Sequence, residues 1–212
     1  GIEKLIKAIH SLLKNKNPEL IIIETSGSCH PLPLIEYFKT QPKVKLTGLF
    51  VLVDTLMLAH DFNYGESLIA QMQQNMATGK RNTVNLLVEQ ILFCSHLFLT
   101  KTDRIKAEKL TDIATYIQQI NPFSTVHHVV FGRLTIESLF ELEQYNYNKV
   151  DQLIKELKPI LDSEEYADSP YDLETRVIKD YRPFHPQRLW DVCHQYLDKR
   201  ISSYFRSTSR TE

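Results

Sequence analysis

The sequence predicts an α/β protein, a doubly wound and mostly parallel sheet followed by the start of a small α+β domain. Three observations lead there. Short, mostly apolar runs rich in branched side chains recur at residues 20–23, 46–53, 97–99 and 125–131, as suits strands covered on both faces. Between them lie stretches with apolar residues three and four apart, the period of an amphipathic helix. Strands that alternate with helices imply parallel pairing, because each parallel crossover needs a connection of helix length.

Taken in order, Ile2, Leu5, Ile6, Ile9, Leu12 and Leu13 mark a first helix, which Asn15 to Pro18 breaks. The run at 20–23 then predicts a buried strand ending at Glu24. A helix over 31–38 keeps its prolines in the first turn, where a missing N–H has no intrahelical partner to lose. After the second strand, 46–53, short helical periodicity appears at 55–59 and 68–76, with Gly65 and Gly79 punctuating the segment. Val84, Leu87, Val88, Ile91 and Leu92 predict a helix over 82–93 leading into the strand at 97–99. A helix at 106–120, a strand at 125–131 and a helix starting near Thr135 complete the alternation, so the α/β domain is expected to span 1–145. Residues 146–170, with a helix-compatible 150–157 and an acidic run at 162–168, read as a linker. The second domain, 171–212, opens with a strand-like 173–181 and an Arg-Pro-Phe-His-Pro turn into a helix carrying Leu189, Trp190, Cys193, Tyr196 and Leu197.

Composition excludes several classes. Hydrophobic residues make up 42%, enough for a packed core. Lys and Arg number 25 against 26 Asp and Glu, so the long-range positive field that draws proteins to nucleic acid or anionic membranes is missing. The longest apolar runs fall far short of the roughly 20 residues that span a bilayer, and no signal-peptide core is present. A soluble, cytoplasmic protein is expected. Cys29, Cys94 and Cys193 form no C-x-x-C pair and no disulfide framework; Cys94 and Cys193 sit among apolar neighbours, whereas Cys29 lies in a loop beside His30.

In open parallel sheets ligands bind at the carboxyl ends of strands, and three strand ends carry polar residues. Glu24-Thr25-Ser26-Gly27 follows the first. A carboxylate there can hold Mg²⁺ directly or through water, and a glycine lets a backbone N–H come close to a terminal phosphate. The same four residues also fit a charged strand end followed by a turn. Thr100-Lys101-Thr102-Asp103 follows the third strand. An Asp here can accept both the ring N1–H and the exocyclic amine of guanine, the Lys stem can cover the base plane, and Thr100 can brace the loops. Alternatively the segment is a polar turn in which Asp103 caps the next helix. Asp54, after the second strand, is expected to cap the following helix or to lie beside the switch region, and no chemistry is assigned to it.

These pieces, in this order, resemble the G3E or CobW-like P-loop GTPases, a family of metallochaperones that includes cobalamin-synthesis proteins and zinc-transferring GTPases. IIIETSG resembles that family's Walker B element, GLFVLVDT its next strand, NLLVEQILFCSHLFLTKTD its helix and guanine motif, INPFSTVHHV its last sheet strand, and RPFHPQRLW the opening of its C-terminal domain. The resemblance implies a partial P-loop GTPase domain that binds and hydrolyses GTP. Glu24 would help hold Mg²⁺, Gly27 would approach the γ-phosphate, and Thr100, Lys101 and Asp103 would bind guanine. It further implies a role in zinc, cobalt or nickel insertion or homeostasis, with a metal ion as cargo and a client metalloprotein as partner.

The sequence also departs from the family. The phosphate loop G-x-x-x-x-G-K-[ST] does not occur in these 212 residues; in the family it lies upstream of the point matching Gly1, as does a C-x-C-C metal motif. Weak nucleotide binding and no effective hydrolysis are therefore expected of this chain taken alone. Thr100 stands where Asn is commoner, which removes an amide from the loop bracing. Ser28-Cys29-His30 replace the Leu-Ala-Asp frequent before Pro31, so a thiol and an imidazole adjoin in the loop. They could be part of a transition-metal site, or a loop variant with Cys29 tucked in. His127 and His128 point to opposite faces of a strand and cannot chelate together. The alternative to a GTPase is a non-catalytic α/β scaffold for protein or metal binding.

Overall fold

A computed structural model describes residues 2–161 and 182–196. The chain divides into two units, Gly1–Leu173 and Glu174–Glu212. In the first, three parallel strands, β1 (Phe50–Asp54), β2 (His96–Thr100) and β3 (Thr125–Val129), lie in the order β1-β2-β3. Helices α1 (Ile2–Asn15), α2 (Leu32–Thr40), α3 (Thr55–Asp61), α4 (Leu68–Ala77), α5 (Thr83–Phe93), α6 (Ala107–Ile120), α7 (Ile136–Phe140) and α8 (Tyr147–Leu161) surround and connect them. The parallel α/β architecture is therefore present, each crossover between neighbouring strands containing helix.

The strand expected at 20–23 is a correction: these residues have no ladder partner, and Leu20 and Ile22 are exposed, Ile22 by 83%. A wholly apolar run becomes a buried strand only where a neighbouring edge pairs with its backbone and a layer covers each face. Neither condition is met at these residues. Among the described residues β1 is an edge strand.

Val53 of β1 and Leu97 and Leu99 of β2 pack with Leu58, Leu68, Ile91, Phe93, Ile113 and Ile117 in one core. Each such side chain removed from water contributes about 1.5–3 kcal/mol. Tyr145, Val150 and Leu153 belong to the same core, so α8, within the stretch expected to be a linker, packs on this unit through Val150 and Leu153.

Helix α5 is fastened at both ends. Asn82 Oδ1 accepts from Val84 N at 2.9 Å while Asn85 Oδ1 accepts from Asn82 N at 3.2 Å, a reciprocal cap for the first-turn donors. At the other end Asn121 Nδ2 donates to the carbonyls of Ile91, Leu92 and Cys94, each at 2.9 Å, and the Tyr145 hydroxyl donates to Phe93 O at 3.2 Å. Those are carbonyls that a helix end leaves without intrahelical partners.

In the second unit, α9 (Pro186–Tyr196) begins at a proline, as expected after the Arg-Pro-Phe-His turn, and Leu189 N donates to His185 O at 3.0 Å. The strand expected at 173–181, the acidic run at 162–168 and the C-terminal residues lie outside the described residues.

Candidate functional site

The carboxyl ends of β1 and β2 lie side by side, with Asp54 paired in register to Thr100. Thr55 Oγ1 donates to Thr100 O at 2.8 Å, and Thr100 Oγ1 donates to Val53 O at 3.3 Å, so each threonine braces the neighbouring strand end. Lys101 adopts the left-handed conformation, φ 58°, uncommon for a residue with a Cβ. That turn carries its Nζ to Asp54 Oδ2, while Asp54 Oδ1 accepts from Leu56 N at 2.9 Å as the N-cap of α3. Asp54 thus has the capping role expected from the sequence and a second partner that the sequence did not reveal.

Asp103 lies in a 3₁₀ turn, Thr102–Arg104, with its side chain in solvent. Helix α6 starts later, at Ala107, and Lys106 occupies its N-cap position. The alternative in which Asp103 caps that helix is thereby removed.

The segment 24–30 is held by α5. Glu24 and Gly27 are exposed, and a Cβ added to Gly27 would meet nothing within 4 Å. Cys29 N donates to Ser26 O at 3.0 Å, closing a tight turn over Gly27 and Ser28. From outside that turn, Gln90 Nε2 donates to Gly27 O at 2.9 Å and to Cys29 O at 3.0 Å. One residue away on the helix, the fully buried Glu89 carboxylate accepts from Arg81 at 2.9 Å, and its Oε2 lies 2.7 Å from His30 Nε2. Cys29 Sγ points to His30 O at 3.6 Å. The thiol and the imidazole are therefore engaged with different partners. Among the described residues no group of three or more His, Cys, Asp and Glu stands ready to hold a metal ion.

Sequence reasoning missed Arg81, Glu89 and Gln90. One signal was available: Glu89 is the lone charged residue of α5, on a helix otherwise made for burial.

The remaining titratable groups belong to the fold. Burial pushes the Cys94 thiol up to about 12, marking an inert packing cysteine. His127 faces His96, its Nε2 3.2 Å from His96 Nδ1, and stacks on Phe98, whereas His128 is exposed, as opposite faces of a strand require. No described helix is long and apolar enough to cross a membrane.

Comparison with known proteins gives the family. Residues 2–128 match the family model described as CobW/HypB/UreG, nucleotide-binding domain. The chain is 25% identical over 199 residues to "Zinc-regulated GTPase metalloprotein activator 1" of Dictyostelium discoideum, an alignment covering 90% of this chain and 42% of that protein. The chain thus spans less than half the length of that relative. No solved structure gives a significant match. Since the family model covers more than half of the chain, the protein belongs to the CobW/HypB/UreG family of nucleotide-binding domains.

Proposed function

We propose that the full-length protein binds and hydrolyses GTP and uses its nucleotide state to control delivery of a metal ion, zinc, cobalt or nickel, to a client metalloprotein. The observation that carries this reading is the side-by-side placement of the β1 and β2 ends, which gathers Asp54, Thr100 and Lys101 at one edge with Asp103 in solvent just beyond. Asp103 has an uncommitted carboxylate face toward water and accepts the N1–H and exocyclic amine of guanine. The Lys101 stem covers the base, and Thr100 braces the strand end beneath it.

On the phosphate side, Gly27 offers its N–H to the γ-phosphate, and the empty space around its Cα leaves room for that approach. Glu24 contributes a solvent-facing carboxylate, the hard oxygen donor that suits Mg²⁺, an ion that keeps several waters. When bound, the ion offsets phosphate charge, and catalysis in this reaction class comes mostly from positioning. The 212 residues alone are proposed to hydrolyse GTP poorly, for want of a phosphate loop.

The relative's printed name, a zinc-regulated GTPase metalloprotein activator, supports zinc among the three metals. A transition-metal ion at Cys29 and His30 is a further proposal, one that requires the ring to leave Glu89; unchanged metal affinity after alanine replacement of both residues would remove it.

The test is titration of the full-length protein with labelled GDP and ADP, followed by Asp103→Asn. Preference for GDP, shifting towards xanthine nucleotide in the variant, is expected. Equal affinity for the two bases would remove residues 100–103 from the site.

A further inference from the structure

The contacts from α5 to the segment 24–30 have a consequence for which backbone donors that segment presents. A trans peptide is planar, so its C=O and the N–H of the next residue point in opposite directions. The Ser26 carbonyl is turned inward by Cys29 N, which sends the Gly27 N–H outward. Gln90 holds the Gly27 and Cys29 carbonyls, which turns the N–H groups of Ser28 and His30 away from the helix. Three of the four peptide units between Ser26 and His30 are thus oriented by two donors, Cys29 N and Gln90 Nε2. Beside them the buried carboxylate of Glu89, itself joined to Arg81, holds the His30 ring at the end of the segment.

We propose that Gln90 is a positioning residue for the nucleotide site, fixing the Gly27–Ser28 and Cys29–His30 peptide planes, on either side of the turn that Cys29 N closes, so that the segment presents its N–H groups to a terminal phosphate, with Glu89 securing the segment's far end through His30. The proposal rests on the reading that this segment meets the γ-phosphate. It assigns a role to a neutral side chain 63 residues away from Gly27 in sequence. Gln90 suits the task because its amide carries two hydrogens for two carbonyls and no charge to repel a phosphate. A held segment also binds with less ordering cost than a free one. Because GDP lacks the γ-phosphate, Gln90 should matter for GTP and not for GDP.

The experiment compares full-length wild type with Gln90→Ala and Gln90→Glu. Gln90 is only half-buried, so both variants should fold. The glutamate keeps the volume and removes the donor, which separates the hydrogen bonds from packing. Amide hydrogen exchange of Cys29, whose N–H is bonded to Ser26 O, is measured without nucleotide, with α6 as internal control, beside affinities for GDP and a non-hydrolysable GTP analogue. Both variants should exchange roughly tenfold faster at Cys29 with α6 unchanged. Both should bind the analogue several-fold more weakly and GDP within about twofold of wild type. Unchanged exchange in both variants overturns the clamp. Faster exchange with an unchanged ratio of analogue to GDP affinity overturns the positioning role. If wild type binds neither nucleotide, it is the GTPase reading that falls, and the exchange measurement still decides whether Gln90 holds the segment.

Discussion

Lys101 and Asp54 close the gap between the ends of β2 and β1: the lysine ammonium meets one carboxylate oxygen while the other oxygen caps α3. The two functions of Asp54 can be separated. Asparagine caps a helix about as well as aspartate but carries no charge. Asp54→Asn should therefore cost under about 0.5 kcal/mol, since an exposed ion pair is worth little, while Asp54→Ala should cost about 1 kcal/mol from the lost cap. Urea unfolding distinguishes the two. If the pair also steadies the Lys101 stem over guanine, Asp54→Asn should weaken nucleotide binding by roughly threefold; an affinity matching wild type would detach Asp54 from the base site.

Gly27→Ala is expected to separate folding from binding. Nothing within 4 Å opposes a Cβ at this position, so the variant should unfold within about 0.5 kcal/mol of wild type. If the N–H of residue 27 lies against a γ-phosphate, the added methyl intrudes there, and a GTP analogue should lose roughly tenfold in affinity while GDP changes little. A clear loss of stability would show instead that the glycine serves the turn.

The cysteines should differ in reactivity. Cys29 is half-buried, while Cys94 is buried with its thiol pushed up to about 12 by desolvation. Near neutral pH, alkylation followed by peptide mass spectrometry should find Cys29 modified first and Cys94 modified only on unfolding. Equal rates at both sites would contradict the packing of Cys94.

Acid should loosen the sheet through His127. Burial, then the neighbouring His96 and His128, lower its pKa from 6.5. The unfolded chain therefore binds the proton more readily, and stability is full above about pH 6.5 and declines as pH falls through the lower folded value. His127→Phe, which keeps a ring against Phe98, should flatten that part of the stability profile; an unchanged acid slope would assign it to other groups.

How much of this was legible differs from element to element. Helix α5 showed itself because its apolar residues repeat with the helical period and Asn82 precedes them, and α5 begins one residue later than expected. Strand β2 showed itself as an apolar run ending in polar residues. The run 20–23 has the same local character and is not a strand, because pairing depends on an edge elsewhere in the chain that no local pattern encodes. The polar strand ends pointed to Thr100, Lys101 and Asp103, but the partners that shape them come from elsewhere in the chain, Asp54 for Lys101 from the end of β1 and Thr55 for Thr100 from the start of α3. Gln90 and Arg81 were hidden for the same reason: a tertiary hydrogen bond leaves no spacing rule, and only the lone charge of Glu89 hinted that α5 serves more than packing.

The amide of Asn121 has two hydrogens and reaches three carbonyls at the end of α5, so one hydrogen is shared. With Asn82 and Asn85 locking the opposite end, this helix of eleven residues behaves as a strut of fixed length, roughly 16 Å at the rise of an α-helix. Neither tip has a turn it can unwind to absorb strain. A displacement arriving at Gln90 from Gly27 must tilt or slide the whole strut, and the carbonyls it would carry along are those gripped from the foot of β3.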